Sequence, residues 1–330
     1  MLYRGLGFTS YWFYGDLQCL LSKYENGCYY FINNYLDIFS VNADVFELYF
    51  NCNAMNSPME PYFDCPFLKT TILSRKRFQW NVDNIKSLLN RKSKILVYLD
   101  RRQLPSYGTN ARRHQVMICD YDDEKEEFIC CDNGPSGKFL TNMRFPYNDV
   151  IKAYQSIQDD TNITTSWEEY FVCINTYECE QYELNKEKIL ASLKSYAGIP
   201  PFKIGKDDEN YDLYGGIDSF LGLRDRIIGD NRAWLKGLRQ GAYAVLCDHK
   251  RLLAYACQIF EKEYNLPKGF ADTAFSLIKE TQILENMIIK YALLPTNLLK
   301  NHIVNKLEIT REKELSLVLN LIDYLEAVLN

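Results

Sequence analysis

The chain changes character near residue 180, and this change limits the folds open to it. Before that point, short apolar runs of strand type alternate with turn residues, as in KILVYLD (94–100), HQVMICDYD (114–122) and EEFICCDN (126–133). After it, long segments carry apolar residues at helical spacing. At 330 residues the chain is also longer than a typical single domain. We therefore predict an α+β protein with a β-rich domain over 1–180 and an all-α domain over 181–330.

Charge and cysteine content narrow the class of protein. The net charge of −5 argues against nucleic-acid binding, because phosphate contacts need a basic surface. No stretch of the sequence approaches the ~20 apolar residues of a membrane span. Eleven cysteines, an odd number that includes the adjacent pair Cys130 and Cys131, are typical of a reducing compartment. We therefore expect a cytoplasmic protein without a membrane-spanning segment.

The sequence contains no motif for a common cofactor. It has no G-x-x-x-x-G-K-[ST] loop and no G-x-G-x-x-G after a strand, so we expect neither a P-loop nor a Rossmann site. It also lacks the C-x2-C spacing of zinc sites, and Cys247 and His249, two residues apart in a helix, point away from each other. We predict no cofactor and no metal.

Cys19 is the first candidate nucleophile. Gly15-Asp16 is typical of a helix start, and a helix over 17–25 would place Cys19 in its first turn. Backbone N–H groups and the dipole at that end stabilise a thiolate and can donate to an oxyanion. Gln18, directly before the cysteine, is a candidate oxyanion donor. Cys28, at the start of the next predicted helix, is the alternative nucleophile.

His114 and Asp132 lie at the open end of the predicted hairpin. If the turn centres on residue 123, residue 114 pairs with 132 and residue 116 pairs with 130. Paired residues point to the same face of an antiparallel sheet, so the carboxylate would lie beside the imidazole and orient it. Asn133 is the next candidate for that role. The sequence thus predicts a site with Cys19 as nucleophile, His114 as base and Asp132 as orienting acid.

Each of these residues also has an ordinary structural interpretation. A lone cysteine on a helix is usually part of the core, and a histidine that begins a strand is often an edge residue. Asp-Asn-Gly after a strand is a common turn. The order Cys, His, Asp along the chain favours the functional interpretation when the three are taken together.

Several segments resemble one family of enzymes. GDLQCLLSKY (15–24) and HQVMICDYDDEKEEFICCDNG (114–134) resemble the Cys box and the His…Asp hairpin of the family typified by butirosin biosynthesis protein H, a papain-like, bacteriocin-leader-peptidase-like group. Further segments resemble the strand before the family's histidine and its carboxy-terminal helical domain: KILVYLDRRQLPSYG (94–108), LYGGIDSF (213–220) and AYAVLCDHKRLLAYA (242–256). The usual Asn-Cys or Asp-Cys pairing of the Cys box is replaced here by Gln18-Cys19. The resemblance implies a papain-like cysteine protease fold for the amino-terminal domain, with Cys19, His114 and Asp132 as its catalytic triad.

The resemblance also implies an activity. Cys19 would take an acyl chain from a thioester on a phosphopantetheinyl acyl or peptidyl carrier protein and pass it to a small amine, forming an amide without ATP. This is the chemistry of thiotemplated antibiotic biosynthesis, with closthioamide-type amide synthetases and the aminoglycoside acceptor of butirosin as precedents. Two alternatives stay open: a cysteine peptidase or thioester hydrolase, in which water replaces the amine, and a non-catalytic protein that docks on the carrier.

Positive charge is concentrated just before His114. The cluster comprises Arg101, Arg102, Arg112 and Arg113, with Arg75, Lys76 and Arg77 upstream. Because carrier proteins are typically acidic, the cluster is a candidate docking surface, whereas its ordinary interpretation is a solvated loop face.

Overall fold

The chain divides into two units, each built from segments that are distant in sequence. The sheet unit comprises Tyr11–Tyr24 and Pro58–Glu180, and the helical unit comprises Met1–Ser10, Glu25–Ser57 and Gln181–Asn330. The predicted domains 1–180 and 181–330 differ from these units in the first 57 residues, which the two units share. The computed structural model describes residues 7–42, 46–50, 60–108, 111, 113–135, 137–158, 166–199, 212–229 and 242–329.

The described residues form helices and antiparallel strands, as expected of an α+β protein. The helices are α1 (Trp12–Leu21), α2 (Gly27–Asn34), α3 (Glu60–Asp64), α4 (Val82–Asn90), α5 (Tyr147–Gln158), α6 (Lys186–Tyr196), α7 (Ser219–Ile228), α8 (Ala242–Glu263), α9 (Phe270–Leu293) and α10 (Asn297–Leu329). The strands are β1 (Ile38–Asn42), β2 (Phe46–Phe50), β3 (Leu68–Ser74), β4 (Lys94–Asp100), β5 (Arg113–Asp122), β6 (Glu127–Asn133), β7 (Phe139–Pro146), β8 (Tyr170–Thr176) and β9 (Asp212–Gly215). None of the described helices combines the length and the apolar character needed to span a membrane.

Strand β4, with the sequence KILVYLD, lies at the centre of the sheet unit. It pairs with β5 on one side and β8 on the other, in an antiparallel sheet of order β3-β8-β4-β5-β6-β7. One face of this sheet shares a hydrophobic core with α4 and α5, while α1 packs on β6 and β7. A strand that is covered on both faces carries apolar residues at successive positions, which explains the continuous apolar run. The predicted strand over 94–100 and the predicted hairpin are confirmed.

The helical unit combines α2 and α6 to α10 with a three-stranded antiparallel sheet of order β2-β1-β9. Within residues 186–199, 212–229 and 242–329, the regular elements are helical as predicted except for β9, which pairs with β1 from Phe39↔Gly215 to Asn42↔Asp212. The exception has a simple cause. Strand β1 has β2 along one edge, and the backbone N–H and C=O groups of its other edge need partners, which β9 supplies.

A cluster of ionisable side chains is buried in the helical unit. Lys250 of α8 and Glu314 of α10 are both fully buried, with Lys250 Nζ 2.5 Å from Glu314 Oε1. The Tyr196 hydroxyl donates to the same oxygen at 2.7 Å, and His249 Nε2 lies 3.0 Å from the Leu36 carbonyl oxygen. Burial lowers the pKa of Lys250 and lowers that of His249 well below its usual range. The Lys250–Glu314 pair therefore ties α8 to α10 while His249 stays neutral.

Lys250→Met should lower the free energy of unfolding by about 3–5 kcal/mol, because it leaves the Glu314 carboxylate buried without its cation. Lys250→Met/Glu314→Met should recover much of that loss, since no unpaired charge remains. Urea denaturation followed by circular dichroism measures both. The exposed pair Lys262–Glu263 provides the control, and Lys262→Met should have little effect. A double variant that is less stable than Lys250→Met would contradict the electrostatic explanation.

Candidate active site

The hairpin of β5 and β6 brings His114 and Asp132 together. His114 Nδ1 lies 3.5 Å from Asp132 Oδ1. The Asp132 side chain is fully buried, whereas 31% of the His114 side chain is exposed. A carboxylate at this separation can orient an imidazole, although the contact is long for a hydrogen bond.

The register that produces this contact differs from the predicted one. Ile118 pairs with Cys130, so position 114 is not directly opposite 132, and the prediction is wrong by two residues. The turn centres between residues 124 and 125 rather than on 123, because Asp122 pairs with Glu127. This displacement shifts the register by three residues, and the bulge between Ile118 and Asp120 reduces the shift to two. A shift of two residues preserves the face to which a side chain points, so His114 and Asp132 still meet as diagonal neighbours.

Asp132 has three further partners that the sequence did not predict. Its Oδ2 accepts a hydrogen bond from the Tyr107 hydroxyl at 2.7 Å, and its Oδ1 accepts one from the Asn133 N–H at 2.7 Å. Arg101 forms an ion pair with Oδ1. Burial and the charge of Asp132 raise the pKa of Tyr107, so its hydroxyl remains a donor. The Asp132 charge is thus already balanced by Arg101.

Arg101 also constrains the tautomer of His114. Arg101 Nη2 lies 2.7 Å from His114 Nδ1, and the Gln115 carbonyl oxygen lies 2.9 Å from the same nitrogen. A guanidinium only donates and a carbonyl only accepts, so the two contacts require opposite tautomers. Only the tautomer with a proton on Nδ1 leaves Nε2 free to act as a base. Arg101 directly follows β4, the strand beside His114. This adjacency was the signal in the sequence that could have revealed the contact between Arg101 and His114.

Cys19 lies in the last turn of its helix, so the predicted first-turn position is wrong. Helix α1 begins at Trp12 rather than 17 and ends at Leu21, where the dipole disfavours a thiolate. Gly15 is inside the helix and not at its cap, because the helix packs so closely on β7 that a Cβ at position 15 would overlap the Phe139 ring. The free N–H groups of the helix start are therefore two turns from Cys19, and they cannot form its oxyanion site. Gln18 is half-buried beside Cys19.

The neighbouring thiol of Cys131, rather than the helix dipole, favours a thiolate at Cys19. Cys131 of β6 hydrogen-bonds to Cys19, and this bond lowers the pKa of the half-buried Cys19 thiol, while burial opposes it. The pKa of Cys131 itself is raised by its hydrogen bonds to Cys119 and Cys19 and by burial. The Sγ atoms of Cys119 and Cys131 lie 3.4 Å apart. Cys131 is therefore a thiol donor poised to stabilise a Cys19 thiolate.

His114 contacts Asp132, but among the described contacts it does not reach Cys19. Successive side chains of a strand point to opposite faces. Cys131 contacts α1, whereas Asp132 shares a face with Cys130, which belongs to the core formed with α4 and α5. His114 reaches α1 through the ring of Trp12, in an edge contact of 5.9 Å between centroids. No hydrogen bond between the Cys19 thiol and His114 occurs in the part of the chain that the structure describes.

The alternative nucleophile, Cys28, belongs to the helical unit. It lies in the first turn of α2, the position that favours a thiolate, but it is only 2% exposed. Its thiol donates to the Glu25 carbonyl oxygen at 3.5 Å. Cys19 is more accessible than Cys28 and shares a unit with His114 and Asp132.

No family model matches this sequence, and no curated protein matches it. The resemblance to the butirosin H family therefore remains a prediction that depends on the short motifs quoted above. Within the described ranges, no cluster of three His, Cys, Asp or Glu side chains has the geometry to hold a metal ion.

Most of the basic cluster before His114 has a structural role. Arg75 is buried and donates to backbone carbonyls, and Arg113 forms an ion pair at 3.2 Å with the buried Glu168. Arg102 pairs with Asp100 at 2.6 Å. Arg112 lies outside the described residues. The prediction that the whole cluster is a docking surface is thus wrong for the arginines that are buried in the sheet unit.

Cys131→Ala should slow alkylation of Cys19 by iodoacetamide at neutral pH and move the reaction to higher pH. The reason is that the pKa of Cys19 rises when its thiol donor is removed, and each unit of rise costs about tenfold in thiolate. Peptide mapping after timed labelling measures the rate. Cys130→Ala, on the other face of β6, is the matched control and should label at the wild-type rate. Equal rates in Cys131→Ala and wild type would contradict the role of Cys131.

Proposed function

We propose that the sheet unit is a papain-like, cysteine-dependent acyltransferase that converts a carrier-protein thioester and an amine into an amide. The observation that carries the proposal is the accessible Cys19 thiol, whose pKa is lowered by Cys131, in the same unit as the His114–Asp132 pair. A helix that bears a thiol and packs on an antiparallel sheet that bears His and Asp also supports the papain-like arrangement.

The first half-reaction needs only the thiolate. Cys19 Sγ attacks the thioester carbonyl carbon, the bond to the phosphopantetheine sulfur breaks, and the acyl chain remains on Cys19. Exchange between two thioesters is nearly balanced in energy, so no ATP is required. A base does not act in this step, which suits a Cys19 thiol supported by Cys131 rather than by an imidazole.

The second half-reaction needs a base. An amine attacks the acyl group on Cys19, the carbon–sulfur bond breaks, and one proton leaves the attacking nitrogen. His114 accepts that proton through Nε2 in the tautomer that places a proton on Nδ1, facing Asp132 and the Gln115 carbonyl. An acyl or peptidyl carrier protein supplies the acyl chain, and the acceptor is a small amine of the kind used in thiotemplated antibiotic biosynthesis.

A second candidate, a non-catalytic protein that docks on the carrier, is favoured by one observation. Arg101 already balances the charge of Asp132, and the His114 ring contacts Arg101 and Trp12. A thioester hydrolase is the third outcome, in which water replaces the amine as acceptor. The two experiments below separate these functions.

Cys19→Ala should abolish the acyl-enzyme adduct that wild type forms with an acyl-carrier thioester, because the nucleophile is lost while a Cys-to-Ala change in a helix is mild. Intact-mass spectrometry detects the adduct. Cys28→Ala is the matched control and should acylate as wild type does. An adduct that persists in Cys19→Ala and disappears in Cys28→Ala moves the nucleophile to Cys28, and no adduct in wild type favours the docking protein.

His114→Ala should accumulate the acyl-enzyme, because its loss slows amine attack by about 10²–10⁴-fold and leaves thioester exchange intact. Asp132→Asn should slow the same step less. Stopped-flow mixing of the acyl-enzyme with an amine, analysed by mass spectrometry, separates amide from free acid. Release of acid at equal rates with and without amine identifies a hydrolase, and unchanged turnover in His114→Ala rules out His114 as the base.

A further inference from the structure

A carboxyl group lies beside Cys19 on the same helix and has no part in the mechanism above. Asp16 precedes Cys19 by three residues on α1, a spacing that places two helical side chains side by side. Its side chain is buried, with 1% of the residue exposed. The close packing of Gly15 on Phe139 fixes this turn of the helix against β7.

One oxygen of Asp16 is unpartnered. The Tyr62 hydroxyl lies close to the carboxyl group and donates to the Phe13 carbonyl oxygen at 3.3 Å, whereas Oδ1 of Asp16 has no hydrogen-bond partner among the described residues. The titratable groups that interact electrostatically with it are Cys19 on its own helix, Tyr62 and Cys119, and, from the other face of β6, Cys130 and Asp132. None of them is a cation, so burial, reinforced by the charges of Cys119, Cys19 and Asp132, raises the pKa of Asp16 well above its usual range. Asp16 therefore keeps its proton to higher pH than an exposed carboxyl group does, and it lies next to the thiol.

An acid at this place would accelerate the departure of the carrier sulfur. The phosphopantetheine sulfur leaves as an alkyl thiolate, whose parent thiol resembles that of cysteine, with a pKa of about 8.5. Such a leaving group departs faster when an acid protonates it. The Cys131 thiol is engaged with the sulfurs of Cys19 and Cys119, and the imidazole of His114 lies with Asp132 rather than with Cys19, so neither is aimed at the departing sulfur.

We infer that Asp16 is a further catalytic residue, the acid that protonates the carrier thiol as it leaves. The inference rests on the proposed acyl transfer. As the carbon–sulfur bond of the donor breaks, the Asp16 proton passes to the departing sulfur, which gives a free carrier thiol and an Asp16 carboxylate. The amine later loses one proton to His114, and water returns that proton to Asp16. The cycle converts one thioester and one amine into one amide and one thiol.

The dependence on the leaving group tests this role. Asp16→Asn keeps the size of the side chain but cannot transfer a proton. Acylation of Cys19 by a pantetheine thioester should fall by about 100-fold in the variant, because general-acid assistance is lost. Acylation by a thiophenol thioester should change by no more than about twofold, because an aryl thiolate leaves without a proton. A purely structural role would slow both donors equally, and that result overturns the inference.

Two controls separate failure of the inference from failure of the proposed function. Asp37→Asn removes a buried carboxylate of the helical unit and should leave the ratio of the two donors unchanged. No acyl-enzyme in wild type with either donor overturns the proposed function itself. If Asp16→Asn does not fold, Asp16→Ser replaces it. The difference infrared spectrum of wild type and variant should contain a protonated-carboxyl band at neutral pH, and a carboxylate band there overturns the inference independently of turnover.

Discussion

The sheet unit depends on the burial of both faces of its central strands, β4, β5, β6 and β8. Successive side chains of a strand point to opposite faces of the sheet. Two functional residues that are adjacent in sequence therefore lie on different faces. Cys131 and Asp132 illustrate this separation, since one contacts the thiol of α1 and the other the groups around His114. The candidate site is therefore two adjoining groups, a thiol cluster and a carboxylate–imidazole–guanidinium cluster, with Asp16 and Trp12 of α1 between them.

The features that could be predicted from the sequence are those set by local periodicity. Strand β4, the hairpin and the approach of His114 to Asp132 follow from short continuous apolar runs and an acidic turn. They tolerate a register error because a shift by an even number of residues keeps each side chain on the same face. The start of α1 could not be predicted in this way. Gly15-Asp16 has the composition of a helix cap, and only the packing of Gly15 on Phe139 makes it helix interior.

Charge was the least predictable property. A run of arginines in a sequence suggests a solvated or docking face. Arg75, however, donates to backbone carbonyls, and Arg101 and Arg113 form ion pairs with buried carboxylates. Partners of this kind come from strands far apart in the chain, so no local pattern identifies them. The same limit applies to Asp16, whose raised pKa follows from its burial and the groups that surround it rather than from its place in the sequence.

The sharing of the first 57 residues between the units has a consequence for synthesis on the ribosome. Every segment of the sheet unit has been made once Glu180 is joined to the chain, so this unit can assemble while the rest is still being translated. Strand β1, by contrast, must wait for β9, which emerges about 170 residues later. During that interval one edge of β1 is without its native neighbour, and an unpaired strand edge is a site at which a nascent chain can pair wrongly.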